Sequence, residues 1–301
     1  MALVNEVGLI TQPALSRRLP LNSSLKLEFT HDAATQRTVL SESSCEAPLK
    51  VVRAFALADG AALVHLHNVS GGLLGDDHLL LSVRLRENTN VQLTTTGATR
   101  IYRAREAASP ATQQTEISLA ANSFLEYLPD PIIPFAGARF SQRTTIQLGS
   151  GADLFWWEIL APGREAHGEL FDYDSVEIKS DVIAEGRLIS RERVKLEPLK
   201  FPLSSPARLG PFRYWATFYI FRVGLDGATW QALENQLREV ARDFSRPGES
   251  LWGISSLAAH GLVCRCVAMR GRDVLSGLHR LWRSARFALY GTKAVPPRKV
   301  N

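Results

Sequence analysis

The strongest constraint on the fold is an alternation of apolar and polar residues with period two, recurring over most of the chain. Leu25-Lys26-Leu27-Glu28-Phe29 alternates strictly. Leu79, Leu81, Val83 and Leu85 fall on one face of a second run, and Val91, Leu93 and Thr95 on one face of a third. Successive side chains of an extended strand point to opposite faces, so the pattern predicts strands buried on one side. Residues 37–40, 50–57, 62–67, 113–119, 123–128, 139–148, 154–160, 176–183, 187–196 and 214–223 read the same way, with Gly, Pro, Asn and Asp between them. A long series of strands with short connections predicts a mainly β body of packed sheets.

Helical spacing comes late. Trp230, Leu233, Leu237, Val240, Ala241 and Phe244 form one stripe over residues 228–244, and Asp226 or Thr229 can cap its start. Val274, Leu278, Leu281, Trp282, Ala285 and Leu289 form another over 273–290, with Gly291 as its stop. Residues 250–269, between the two, read as a strand pair. The expected organisation is one domain over 1–301: a strand core over 25–225, two helices flanking a strand pair over 226–291, and a basic tail over 292–301. Pro198, Pro202, Pro206 and Pro211 mark a long loop, but strand signals resume directly after it, which favours one continuous body. No repeat of fixed length is visible.

Charge and composition narrow the function. From Arg272 onward seven basic residues stand against one acidic, a local charge of +6 in a chain of net +5, so the first 271 residues carry −1. The basic character belongs to the C-terminal segment, which suits an acidic partner and argues against a broad nucleic-acid surface. Three cysteines (Cys45, Cys264, Cys266) cannot build a disulfide framework or a four-cysteine zinc site. No signal peptide is read in residues 1–21, and no apolar run approaches the ~18 residues of a membrane span, so a cytoplasmic protein with no membrane partner is expected. Phosphate-loop, nucleophile-elbow and His-Glu-x-x-His motifs are absent.

Four segments carry candidate chemistry. His65-x-His67 places two imidazoles on one face of a strand, and Gly71-Gly72-Leu73-Leu74-Gly75-Asp76-Asp77-His78 follows with two carboxylates and a third imidazole. That density suits a divalent cation such as nickel, zinc or copper. It is balanced by the ordinary use of Asp in glycine-rich turns. Residues 94–103 combine Thr94, Thr95, Thr96 and Thr99 with Arg100, as either an anion site or a plain threonine-rich strand with outward basic residues. In 125–135, Pro129, Pro131 and Pro134 enforce an extended path and hold Asp130 in place. In 156–169, Trp156 and Trp157 put one indole on each strand face, and Glu158 and Glu169 flank a turn as potential acid–base groups or oxygen ligands. Cys264-Arg265-Cys266 reads as two buried structural thiols. A metal-dependent hydrolase of all-β fold using His65, His67, Asp77 and Glu158 is therefore one reading, and a β-rich binding module without metal is another.

In order and spacing, Gly71-Gly72…Gly75-Asp76-Asp77, Thr94-Thr95-Thr96…Ala98-Thr99…Tyr102-Arg103, Leu125 to Phe135, and Trp157-Glu158…Pro162-Gly163-Arg164…Gly168-Glu169 resemble the urease accessory protein UreD family, also called UreH. The resemblance is clear over about 25–196 and weaker through the helices. It implies stacked sheets in a helical β arrangement with C-terminal helices. It also implies a non-catalytic scaffold, without a tightly bound cofactor, that delivers transient Ni2+ to apo-urease with UreF and, through UreF, the GTPase UreG. The matching positions for a nickel path are Asp77, Asp130 and Glu169, with Thr95 and Thr96 beside them. If the C-terminal helices turn their apolar stripes toward UreF, Leu278, Leu281, Trp282 and Arg283 would meet it; the alternative is that both helices cover this chain's own sheet. The sequence departs from the family at Gly75-Asp76-Asp77-His78, where the family has Gly-Gly-Asp followed by a basic residue.

Overall fold

The computed structural model describes residues 21–297. The reading of residues 1–20 as free of a signal peptide, and the tail residues Arg298 and Lys299, lie outside the described residues. In chain order the elements are β1 (Asn22–Asp32), β2 (Arg37–Cys45), β3 (Leu49–Lys50), β4 (Ala54–Ala56), β5 (Ala62–Asn68), β6 (His78–Leu85), β7 (Asn90–Thr95), β8 (Thr99–Ile101) and β9 (Ala111–Leu119). Next come β10 (Phe124–Tyr127), β11 (Ile132–Pro134), β12 (Arg139–Leu148), β13 (Asp153–Leu160), β14 (Ser175–Ala184), β15 (Arg187–Leu196) and β16 (Tyr214–Arg222). The C-terminal part holds α1 (Gly227–Phe244), β17 (Ser250–Ser256), β18 (Gly261–Ala268) and α2 (Gly271–Tyr290).

The chain winds. β6, β9, β12 and β14 lie side by side and parallel in one sheet of order β15-β14-β12-β9-β6-β1-β2. Between them β5, β7, β10 and β13 lie parallel in a second sheet, which β16, β18 and β17 extend in antiparallel fashion. Short β8 and β11 make a third, narrow side. Each turn visits the first sheet, the second and then the corner, so the body is a helical stack of unequal rungs with no sequence repeat. The alternation read from sequence becomes columns of like residues. Leu27, Val83, Ile117, Ile146 and Val182 are register neighbours, all buried. Burying each of these side chains stabilises the fold by about 1.5–3 kcal/mol. A facing column in the second sheet runs Val64, Leu93, Tyr127, Trp156 and Tyr219.

Sequence and structure differ at the short pieces. Residues 50–57 form two fragments, β3 and β4, rather than one strand. β8 and β11 have three residues each, too few to display a period. Beyond the proline loop, β16 pairs directly with β13 in the same sheet.

The second sheet is covered on both faces. Inward lies the other sheet, and outward lie α1 and α2. Every residue of β13 is buried as a result, and its two tryptophans part as expected: Trp156 stacks on Tyr219 inside, at 4.9 Å between ring centres, and Trp157 packs toward α2. Asp226 caps α1 by accepting from the Thr229 N–H at 2.9 Å, and Gly291 ends α2 in the left-handed conformation. Gly277 sits mid-helix for a packing reason: a Cβ there would stand 2.1 Å from the Trp252 ring. Leu278, Leu281 and Trp282 are 0 % exposed against this sheet, so their assignment to a partner surface is corrected. The apolar stripe of α2 is consumed inside its own chain, and of those four residues only Arg283 faces solvent.

Candidate functional site

Between the two sheets, at the end near the narrow side, lies a cavity of about 310 Å³. It exists because the inward columns turn polar there. Beside the apolar column of the first sheet run Leu81, Thr115, Thr144 and Ser180, and beyond them Gln113 and Gln142 are neighbours. Threonine and glutamine bring donors and acceptors to the inner wall in place of branched apolar groups. In the second sheet Leu66 and Thr95 face inward on β5 and β7, and Glu158 on β13.

The proline segment supplies the mouth. Asp130, held between Pro129 and Pro131, accepts from the Thr95 hydroxyl at 2.8 Å and donates its own N–H back to that oxygen at 2.8 Å. The Trp157 indole N–H donates to the Pro129 carbonyl at 2.8 Å and so fixes the segment to the sheet. Thr95, Thr96, Asp130, His67 and Arg100 all line the opening.

The floor is Glu158, 4 % exposed. One carboxyl oxygen accepts from the Gln142 amide; the other has no hydrogen-bond partner, and neither has the hydroxyl of its register neighbour Thr217. Burial pushes the Glu158 carboxyl up to about 8, despite the Gln142 hydrogen bond, and Glu192 adds repulsion. Further along the same direction Glu192 accepts from Tyr219 at 3.0 Å and Arg265 at 2.7 Å. A row of polar side chains thus runs along the stacking direction from Asp130 past Glu158 to Glu192.

Two of the residues implied for a nickel path lie outside the cavity lining. Asp77 is buried and organises its loop: its carboxylate accepts from the Leu21 N–H at 3.0 Å and the Leu74 N–H at 2.8 Å. Asp76 takes the left-handed backbone that the departure from the family pattern requires, with φ of 69°, and accepts from the Ser109 N–H at 2.7 Å. Glu169 forms a two-point ion pair with Arg164 and accepts from the Ala136 N–H at 3.3 Å, and the Arg164 hydrogen bond holds its carboxyl below the usual range.

The hydrolase constellation does not assemble. His65 faces the outer side, with its Nε2 2.9 Å from the Pro297 carbonyl and its ring edge-on to Phe55, whereas His67 sits at the cavity mouth. Asp77 is committed to backbone amides. Among the described residues no three His, Cys, Asp or Glu side chains are grouped to hold a metal ion. The shared strand parity of His65 and His67 does not bring the two imidazoles to one site: one meets the C-terminal segment and the other the cavity. Sequence reasoning missed Gln142 as a site residue: its signal was an inward register on 139–148, in step with Phe140, Thr144, Ile146 and Leu148.

The family model described as UreD urease accessory protein matches residues 22–301. The chain belongs to the UreD family. It is 46 % identical over 280 residues to the urease accessory protein UreD of Herpetosiphon aurantiacus, covering 93 % of this chain and 96 % of that one. It is 33 % identical over 287 residues to the UreD of Pseudomonas aeruginosa, with 95 % and 97 % covered, and 30 % identical over 273 residues to that of a Bacillus species, with 91 % and 97 % covered. UreD membership therefore spans both sheets and both helices, including the C-terminal part where the sequence motifs are weakest.

Proposed function

We propose that this chain is a non-catalytic urease maturation factor that passes nickel toward apo-urease through its interior, in a cytoplasmic complex with UreF and, through UreF, UreG. The observation that carries this reading is the polar cavity between the two sheets, beside the apolar core of the stack. Its mouth presents the Asp130 carboxylate on Thr95, and its floor presents Glu158 on Gln142. Burying polar groups between sheets costs stability unless each is paired, and here the buried Glu158 carboxyl lies on the cavity wall with the Gln142 amide as its donor. A carrier must also release its cargo. Dense imidazole and thiolate sets hold nickel tightly, whereas spaced carboxylates, hydroxyls and amides offer shallow stops.

Asp77 and Glu169 act at one remove. They fix the glycine loop and the 162–171 turn that border the narrow side, and their loss disturbs the path through its frame.

The test is urease activation in cells producing apo-urease, UreF, UreG and variants of this chain. Asp130→Ala and Thr95→Val should lower the nickel content of purified urease severalfold while the complex with UreF still forms. Fully nickel-loaded urease with the double variant would defeat the conduit.

A further inference from the structure

An interior that passes nickel needs a second opening besides the mouth at Asp130, and this inference rests on that reading. The polar wall does not stop at Glu158. In the second sheet Glu158, Thr217, Arg265 and Gly253 are register neighbours across β13, β16, β18 and the edge strand β17. In the facing sheet Thr144, Ser180 and Glu192 are register neighbours across β12, β14 and the edge strand β15. The inner ends of both rows, Glu158 and Thr144, line the cavity. Their outer ends meet where Glu192 accepts from Arg265 at 2.7 Å. The flanking rows are aromatic or apolar: Tyr219 with Val263 and Trp215 with Val267 in the second sheet, Ile178 with Val194 in the first. A polar seam one residue wide therefore leads from the cavity floor to the sheet edges. Inside it, one Glu158 oxygen and the hydroxyl of the fully buried Thr217 have no hydrogen-bond partner. Burial raises the Tyr219 hydroxyl and the carboxylates of Glu192 and Glu158 raise it further, so both carboxyls lie near one phenol. At the outer end Gly253 is exposed, and a Cβ there would meet nothing within 4 Å.

We propose that this edge is the second opening of the nickel path, with Glu192 as its last carboxylate and Arg265 as a resident cation that an arriving dication displaces. While the path is empty, the guanidinium compensates a carboxylate that would otherwise sit unpaired beside the buried Tyr219. Arg265 is half-exposed, so it can leave Glu192 for solvent without unpacking the sheet, and the Tyr219 hydroxyl keeps Glu192 in place. Carboxyls at both ends of the seam and one between them give an ion several weak stops in single file.

The test is the nickel content of urease purified at early times after nickel is added to cells producing apo-urease, UreF, UreG and variants of the full chain. Thr217→Val removes a hydroxyl that has no partner, so the midpoint of urea denaturation should not fall and the complex with UreF should form. Nickel loading should nonetheless drop severalfold. Glu192→Gln should slow loading to a similar extent, and Arg265→Gln should quicken it, because the ion then has no guanidinium to displace. A purely structural ion pair predicts that losing either partner acts alike. Loading that Arg265→Gln fails to quicken, or that both charge variants slow equally, overturns the gate. Normal loading with Thr217→Val, where Asp130→Ala still lowers it, overturns the second opening and leaves the conduit standing. Normal loading with Asp130→Ala as well overturns the conduit itself.

Discussion

Two buried carboxylates on the same sheet have opposite surroundings. Glu126 on β10 points outward beneath α2, and Glu158 on β13 points inward to the cavity. Glu126, 2 % exposed, accepts from the Trp282 indole at 2.7 Å, the Gln92 amide at 3.1 Å and the Arg286 guanidinium at 2.8 Å. Arg286 also pairs with Asp59 at 2.6 Å. Glu158 has one amide donor and a second oxygen with no partner. Burial raises both carboxyls, but at Glu126 a cation and three donors oppose the rise, and at Glu158 little does. One site is closed and holds a helix to the sheet. The other faces the cavity and has fewer groups to oppose the cost of its burial.

The sharpest way to break the contrast is to remove the cation on the closed side. Arg286→Ala leaves Glu126 buried with its charge uncompensated and should cost about 3–5 kcal/mol of folding stability, read as a lowered midpoint in urea denaturation. An unchanged midpoint would mean that the outer node does not hold α2 down. On the open side the expected effect is smaller and depends on pH. A carboxyl raised from 4.5 to about 8 on folding binds its proton more tightly in the native state, so it is neutral below about 4.5 at no cost. Between about 4.5 and 8 its contribution falls as pH rises. Asp153, raised to about 6 by burial, slopes in the same direction, so the measurement must compare variants. Glu158→Gln should flatten the loss of stability between pH 5.5 and 8, whereas Asp130→Asn should not. Parallel profiles for wild type and Glu158→Gln would remove Glu158 from its proposed state. The smallest effect is expected at His65, whose single hydrogen bond to Pro297 ties the C-terminal segment to β5. His65→Ala should cost about 1 kcal/mol and leave the nickel content of urease unchanged; a fall in loading would return the histidine to the metal path.

The long strands and both helices were legible because their periods persist over enough residues: β6 and β12 alternate throughout and β1 as far as Phe29, and α1 and α2 lie within two residues of the expected bounds. The family was legible in four ordered motifs. The site was legible only in part. Asp130, Thr95, Thr96 and Glu158 come together around one cavity, whereas Asp77 and Glu169, equally prominent in sequence, serve backbone amides and Arg164.

The sequence by itself determined which side chains share a strand face, where helices replace strands, and where the basic charge collects, because these follow from local geometry of period 2.0 or 3.6. Only the tertiary structure decided that Gln142 meets Glu158, that Glu126 meets Arg286, and that the apolar stripe of α2 is spent on its own sheet. Those pairings join residues far apart in the chain. They depend on which rung stacks on which, and unequal rung lengths leave no local pattern from which that stacking can be read.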